Sequence, residues 1–266
     1  MTNLHLCRFS EPTSGQARYG VLRDGAIYPL STEQVFNLPG LTQPTALSGK
    51  PYGQDKVKLL APVIPSKIVC VGRNYKEHAA ELGNPMPDEP LLFLKPPSAI
   101  IGHEEAIRLP TASSRVEHEG ELGVVIGRCA HRLSDSENPL DYVLGYTCIN
   151  DVTARDLQRR DVQFTRAKSF DTFCPIGPFI VTGIDPFDLQ VETRVNGQMR
   201  QRGRTAAMAF PVAYLIRYIS HIMTLEPGDV ISTGTPAGVG PLVEGDVCEV
   251  EVEQVGTLGN PVKASV

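Results

Sequence analysis

The sequence predicts a mainly β protein with a few short helices, an α+β fold arranged as a mixed β-roll or sandwich. Its 266 residues include 24 Gly and 22 Pro. So many helix breakers disfavour a helical bundle and favour short strands joined by turns. Strand and helix patterns do not alternate regularly between Asp185 and Gly228, which argues against a doubly wound parallel sheet.

The first 60 residues predict a small β domain. Residues 18–22 and 26–30 read as two strands, and the Asp24-Gly25 pair between them supplies the positive φ of a tight hairpin turn. A loose segment rich in Gly and Pro follows. We therefore predict a domain boundary near residue 60, with a small domain at 1–60 and a larger domain at 61–266.

The sequence of the larger domain predicts short strands interrupted by few helices. Apolar runs predict strands at 67–71, 91–94, 121–127, 143–149, 178–182, 189–195, 229–232 and 247–253. Helical patterns occur at about 75–82, 153–160 and 211–223. In the last of these Pro211 suits the first turn, and one apolar face is marked by Val212, Leu215, Ile216, Ile219 and Ile222.

Composition excludes several classes of partner. The net charge is −5 and no run of Lys or Arg occurs, so binding to nucleic acid or to an anionic membrane is not expected. No apolar window approaches the ~18 residues of a membrane span, and the N-terminus lacks the features of a secretory signal. We therefore expect a cytoplasmic protein.

The six cysteines predict reduced, buried side chains. None is close to another in sequence, and several lie within apolar runs that resemble strands. Cys174, which precedes Pro175, could instead be a nucleophile, but no histidine lies near it in sequence.

Several familiar motifs are incomplete. His118-Glu119 begins like the zinc-binding HExxH motif, but Leu122 stands where the second histidine is required. The glycine-rich segment 234–240 lacks the Lys-Ser/Thr pair of a phosphate-binding loop. Zinc protease and nucleotide-binding functions therefore lose support.

Two acidic residues precede an apolar strand. Glu119 and Glu121 are two positions apart, so a strand would place both carboxylates on one face. A third acid, Asp151, follows the next apolar strand, where it could instead cap a helix opened by Thr153. Three carboxylates without His or Cys favour Mg²⁺ or Mn²⁺, although Glu119 and Glu121 could equally form a solvated strand end.

Polar residues that follow could bind a ligand of the same site. Arg155 and Gln158 are three positions apart on a predicted helix, so they share a face and could reach one ligand together. Lys168 is a lone cation beside apolar residues. It could stabilise a developing enolate, with simple surface exposure as the alternative.

A second helix carries a possible general base. His78 and Glu81 are three positions apart, so Glu81 could orient His78. The pair could also be an ordinary polar helix face. The loop at 83–88 after this helix contains two prolines and suits a mobile lid.

Six ordered strings together resemble the fumarylacetoacetate hydrolase family, in its short bacterial and mitochondrial branch. They are VGRNY at 71–75 with His78, FLKP at 93–96, EGEL at 119–122, NDVTARDLQ at 150–158, AKSFDTFCP at 167–175 and LEPGDVISTGTPAGVG at 225–240. The resemblance covers roughly residues 65 to 262. Residues 1–60 resemble the small leading domain of the family more weakly.

The resemblance implies a β-roll-like catalytic fold that is usually a homodimer. It implies Mg²⁺ or Mn²⁺ on Glu119, Glu121 and Asp151, and a catalytic pair of His78 and Glu81 on a lid. Catalytic Lys168 would line the pocket together with the substrate-binding residues Arg73, Arg155, Gln158 and Thr235.

The activity that this resemblance implies is metal-dependent cleavage of a carbon–carbon bond in a 2,4-dioxo acid, an acylpyruvate or fumarylpyruvate, to release pyruvate. A 2-oxo acid can chelate the cation through its carboxylate and keto oxygens. The same enolate chemistry would serve oxaloacetate decarboxylation or isomerisation of a 2-hydroxy-diene-dioate, and family membership does not choose among them. A non-catalytic binding protein is the alternative from another class, and the intact acids, His78, Glu81 and Lys168 argue against it.

Overall fold

The computed structural model describes residues 3–31, 35 and 47–265, and in this part of the chain the fold is mainly β, as predicted. The strands are β1 His5–Ser10, β2 Ala17–Arg23, β3 Ala26–Pro29, β4 Tyr52–Gly53, β5 Lys58–Leu60, β6 Ile68–Gly72, β7 Leu91–Lys95, β8 Ile100–Ile101, β9 Ile107–Leu109, β10 Val116–His118, β11 Gly120–Ile126, β12 Val143–Asn150, β13 Thr153–Ala154, β14 Cys174–Val181, β15 Gln190–Val195, β16 Gln198–Arg204, β17 Val230–Ser232, β18 Gly240–Pro241, β19 Val247–Val252 and β20 Gly256–Ala264. The α-helices are α1 Lys76–Glu81, α2 Arg155–Arg160, α3 Thr165–Lys168 and α4 Val212–Ile222. None of these helices has the length and hydropathy of a membrane-spanning segment.

The largest sheet runs in the order β4-β3-β2-β1-β14-β12-β11-β17-β6-β7, with β5 added beside β1 and β8 beside β14. A second sheet has the order β16-β15-β19-β20-β9, and a small one joins β13, β10 and β18. β11, β12 and β14 of the large sheet pack against β15, β19 and β20 of the second. The sheets therefore form a sandwich, whose shared apolar core includes Val124, Tyr146, Val191, Val250 and Leu258.

The predicted N-terminal hairpin is confirmed. β2 pairs with β3 in antiparallel register, and Asp24 and Gly25 form the turn with φ of 49° and 74°. The preceding strand β1, which was not predicted, pairs with both β2 and β14. The N-terminal strands thus continue the large sheet, and the division of the chain at residue 60 stays a prediction.

Most elements of the larger domain lie where the sequence predicts them. Each of the eight predicted strands corresponds to an observed strand, and the three predicted helices correspond to α1, α2 and α4. Helix α4 buries four of its five predicted apolar residues, whereas Ile222 is exposed. Pro211 is the N-cap residue of this helix, and its carbonyl accepts a hydrogen bond from Leu215 N at 3.0 Å, so it lies at the first turn as predicted. Thr153 does not open α2, because it pairs with Glu117 in the small sheet.

The sheet topology gathers one set of strand ends around a cavity. β11 is antiparallel to both β12 and β17, and β17 is parallel to β6. The start of β11 therefore meets the ends of β12, β17 and β6. Glu119, Asp151 and the segment that leads to α1 all follow or precede these ends, which explains how residues distant in sequence reach one place.

Candidate active site and metal centre

A cavity of about 200 Å³ opens at these strand ends. Its walls come from four parts of the chain: β6 and α1, β7, the β10–β12 region with α2 and α3, and the loop after β17. The lining residues are Val71, Gly72, Arg73, His78, Leu82, Asn84, Phe93, Glu119, Glu121, Asp151, Arg155, Gln158, Arg159, Phe164, Lys168 and Thr235. The set contains every sequence-predicted site residue except Glu81, which contacts His78 from the side.

The three predicted carboxylates meet at the floor of the cavity. Glu119, Glu121 and Asp151 are buried, and one carboxylate oxygen from each lies within 4.8 Å of the others. Gly120 of β11 pairs with Asn150 of β12, so the residue after β12 lies beside the start of β11. This burial excludes a solvated strand end. Asp151 is not a helix cap either, because α2 begins after Ala154 without a side-chain cap.

The charges around these carboxylates leave room for a cation. Glu119 is paired with Lys168 and Arg155, and although burial alone would raise its pKa, these two cations hold that pKa well below its usual range. Glu121 has no cationic partner in the described chain and accepts hydrogen bonds only from Ser232 Oγ, at 2.5 Å, and Gly234 N, at 2.8 Å. Burial, then the charge of Asp151, raises the pKa of Glu121 to about 8. A bound divalent cation would relieve this repulsion, so the donor set fits Mg²⁺ or Mn²⁺.

Lys168 is buried at the cavity wall rather than exposed. Its Nζ donates to Glu119 Oε2 at 2.7 Å and to Asp151 Oδ2 at 2.6 Å. The ammonium also lies 5.0 Å from the ring centroid of Phe93, close enough for a cation–π contact. Phe93 packs edge-to-face against Phe164, which forms an apolar wall beside the charges. The alternative of a surface lysine is therefore wrong.

Arg155 is bound by carboxylates of the chain itself. Its Nε donates to Glu117 Oε2 at 2.6 Å, and its other nitrogens bond Glu119 and Gln158. The predicted proximity of Arg155 and Gln158 is confirmed at 2.5 Å. The guanidinium holds Glu119 in place and still lines the cavity, together with Gln158 and the exposed Arg159.

The predicted contact between His78 and Glu81 forms on α1. His78 is buried, and its Nδ1 lies 3.3 Å from Glu81 Oε2. Glu81 also accepts a hydrogen bond from the backbone N–H of Gly238, at 3.0 Å. This anchor holds the carboxylate where it can orient the imidazole, so the alternative of an ordinary polar helix face is wrong for His78. Leu82 and Asn84 after α1 line the cavity, and closure of this loop as a lid stays a prediction.

The two remaining predicted residues follow the ends of the adjacent parallel strands β6 and β17. Arg73 follows β6 with φ of 57°, in the left-handed region that non-glycine residues rarely occupy. The side chain lines the cavity. Thr235 follows β17, and its hydroxyl donates to the carbonyl of Gly120 at 2.8 Å.

Sequence reasoning missed several buried residues that touch this site, among them Lys95 and Gln201. Lys95 Nζ donates to Asp151 Oδ1 at 2.5 Å, on the other oxygen from Lys168. Lys95 lies in the FLKP string at 93–96, and a lysine at the end of an apolar strand is a signal in the sequence that could have indicated a buried, paired cation. Gln201 contacts Gly120 and Thr235, and its polar strand gave no signal of burial.

The cysteine prediction is confirmed for five of six residues. All six are free, and only Cys129 among them is exposed. Burial raises the pKa of the Cys174 thiol to about 12, which makes this residue unsuited to nucleophilic attack at neutral pH.

Comparison with known proteins agrees with this geometry. The family described as fumarylacetoacetate (FAA) hydrolase C-terminal matches residues 67–263. A Bacillus subtilis protein named oxaloacetate tautomerase YisK is 45% identical over 226 residues, which cover 79% of this chain and 75% of that protein.

Solved structures resemble the whole fold. The structure of a 2-hydroxyhepta-2,4-diene-1,7-dioate isomerase from Mycobacterium marinum superposes with a TM-score of 0.87 at 42% identity, covering 98% of this chain and 99% of that one. A fumarylacetoacetate hydrolase from Exiguobacterium antarcticum has a TM-score of 0.85 and 41% identity, with 98% and 100% coverage. The similarity therefore includes the N-terminal strands as well as the region around the cavity.

Proposed function

Because this chain belongs to the fumarylacetoacetate hydrolase family, we propose that it catalyses proton transfer beside the keto group of a small 2-oxo acid. The preferred reaction is keto–enol tautomerisation of oxaloacetate with Mg²⁺ or Mn²⁺ on Glu119, Glu121 and Asp151. Two relatives carry names of tautomerase or isomerase reactions, and these reactions share an enol or enolate with the hydrolysis that the sequence favoured.

The observation that carries the proposal is that an ammonium group and an imidazole line one small cavity. The ammonium of Lys168 lies between Glu119 and Asp151, and His78 lines the same cavity in contact with Glu81. When bound, the divalent cation would supply Lewis-acid polarisation of the keto and carboxylate oxygens. A cavity of about 200 Å³ suits a compact acid of this kind.

Side chains of the protein would transfer the proton, stabilise the enolate oxygen and attract the substrate. His78, oriented by Glu81, would accept the proton from the carbon beside the keto group and pass it to the keto oxygen, and the reverse reaction would return the proton from oxygen to carbon. Lys168 would donate a hydrogen bond to the oxygen on which negative charge develops. Arg73 and Arg159 would attract the anionic substrate, and the Phe93–Phe164 wall would keep water from one side.

Hydrolysis of a 2,4-dioxo acid is the second candidate. The His78–Glu81 pair that would remove a proton from carbon could instead remove one from water, and a relative of similar fold is named as a hydrolase. Oxaloacetate decarboxylation would pass through the same enolate without needing the base. A homodimer is proposed on the family resemblance alone.

The test compares three reactions in one preparation. The enol absorbance of oxaloacetate would be followed with Mg²⁺, with Mn²⁺ and after chelation, beside pyruvate release from oxaloacetate and from an acylpyruvate. We expect cation-dependent enol conversion to be the fastest. The Lys168→Met variant should lose it, whereas Lys76→Met, an exposed lysine on α1, should not. Faster pyruvate release from the acylpyruvate would favour hydrolysis instead.

A further inference from the structure

Gln201 is the one buried residue of β16, a strand whose other side chains are exposed or half-buried. Its Oε1 accepts from Gly120 N at 3.0 Å and contacts His118 Nδ1 at 3.0 Å. Its Nε2 donates to Thr235 Oγ1 and to the carbonyl of Pro236, both at 2.7 Å. The amide therefore uses its full hydrogen-bonding capacity within the protein.

The partners fix the orientation of this amide. The Gly120 N–H can only donate and the Pro236 carbonyl can only accept, so Oε1 must face Gly120 and Nε2 must face Pro236. It follows that the proton on the His118 ring lies on Nδ1, where it faces Oε1. A rotated amide would place two donors together at Gly120 and two acceptors together at Pro236.

The contacts close a ring of hydrogen bonds through the backbone of Gly120. Thr235 Oγ1 receives a hydrogen bond from Gln201 and donates its own proton to the Gly120 carbonyl at 2.8 Å. Both backbone polar groups of Gly120 are thus held by Gln201 and Thr235. The Thr235 hydroxyl, whose proton is committed, can only accept a hydrogen bond from a ligand in the cavity.

Gly120 is the residue between two of the three carboxylates. Its backbone is closely packed, because a Cβ there would lie 2.1 Å from Thr193 Oγ1. The position of the Gly120 backbone sets how far apart Glu119 and Glu121 present their oxygens. A residue that holds this backbone therefore acts on the spacing of the proposed cation site.

We infer that Gln201 is a positioning residue, which couples the Glu119-Gly120-Glu121 segment to the Thr235–Pro236 loop and so sets the geometry for a divalent cation. The inference rests on the proposed function for the identity of the cation site. It assigns Gln201 no contact with substrate. Loss of a residue that orients metal ligands commonly changes cation affinity by about 10–100-fold, and Gln201 acts on the ligands Glu119 and Glu121 through the backbone of Gly120 between them.

The experiment uses neutral substitutions in the full chain. Gln201→Met removes the hydrogen bonds that Gln201 makes to Gly120 and Thr235. It is compared with Gln198→Met, the same change at an exposed position of β16. Thr235→Val breaks one corner of the ring, whereas Thr235→Ser keeps its hydroxyl. Mg²⁺ and Mn²⁺ affinities are measured by calorimetric titration, and melting temperatures report folding.

We expect Gln201→Met and Thr235→Val each to weaken cation binding by about 10–100-fold, and the double variant to be no weaker than the worse single one. Gln198→Met and Thr235→Ser should stay within about twofold. Unchanged cation affinity in folded Gln201→Met would overturn the inference. If that variant does not fold, equal affinities of Thr235→Val and Thr235→Ser would overturn it.

Hydrogen exchange separates this role from the proposed function. Peptides covering 116–123 and 232–240 should exchange faster in Gln201→Met than in Gln198→Met. If the unmodified chain binds neither cation, the proposed function fails. Faster exchange in both peptides would then still support coupling by Gln201, and unchanged exchange would overturn it.

Discussion

Replacing His78 by alanine should separate proton transfer from electron withdrawal. The buried imidazole lines the cavity, and Glu81 behind it is held independently by Gly238 N–H. Lys168 and the three carboxylates make their contacts without His78. The variant should therefore lose the base while keeping the groups that stabilise an enolate.

The structure sets two different magnitudes. Loss of a general base costs about 10²–10⁴ in rate, so His78→Ala should slow tautomerisation by that factor. Glu81→Gln leaves His78 in place and still offers an acceptor to Gly238. Glu81 orients His78 and does not itself react, so Glu81→Gln should slow tautomerisation by less than the factor of about 10²–10⁴ expected for His78→Ala.

The assay follows two reactions of oxaloacetate in each variant. Enol absorbance reports tautomerisation, and pyruvate formation reports decarboxylation, which needs an electron sink but no base. We expect His78→Ala to reduce decarboxylation by no more than about tenfold, a loss well below that of a general base. Glu77→Gln, an exposed neighbour on α1, is the control for Glu81→Gln. Equal losses of both reactions in His78→Ala would refute the assignment of His78 as the base.

Three further outcomes test the surrounding structure. Arg155→Met should lower the free energy of unfolding, measured in urea by circular dichroism, by about 3 kcal/mol, because it leaves buried Glu117 and Glu119 each with one cationic partner fewer; an unchanged value would contradict this. Asp229 is buried, which alone would raise its pKa, but hydrogen bonds led by that from Lys67 hold the pKa below its ordinary value. The stability that this carboxylate contributes is therefore present at neutral pH and is lost as the pH falls through its unfolded and then its folded pKa. The free energy of unfolding of Asp229→Asn should be about 2 kcal/mol lower than that of the unmodified chain at pH 7. This difference between the two proteins should become smaller below about pH 4. Light scattering at micromolar concentration should give about twice the 28.9 kDa chain mass, and a monomeric mass would contradict the proposed homodimer.

The acidic residues could be predicted because short-range rules place them. Strand periodicity puts Glu119 and Glu121 on one face, and an antiparallel neighbour brings the residue after β12 to the start of β11. Helical spacing likewise predicts the contact between Arg155 and Gln158. These inferences need only the local period of the chain and the order of adjacent strands.

The partners that hold these residues come from distant segments. Gln201 is 81 positions from Gly120, and Lys95 is 56 positions from Asp151. Strand β16 is polar because one of its faces is open to solvent, so its pattern does not mark the single residue that turns inward. Only the packing of the two sheets shows which polar side chain is buried.

Cation binding by Glu121→Gln tests the central claim most directly. In the described part of the chain Glu121 forms no ion pair, and burial and the charge of Asp151 disfavour its ionised form, so the variant should fold with an unchanged or higher melting temperature in the absence of cation. The unmodified chain and the exposed control Glu244→Gln should each bind Mn²⁺ in calorimetric titration and convert oxaloacetate enol only with the cation, and Glu121→Gln should do neither. Full Mn²⁺ binding by Glu121→Gln, or enol conversion by the unmodified chain after chelation, would contradict the account.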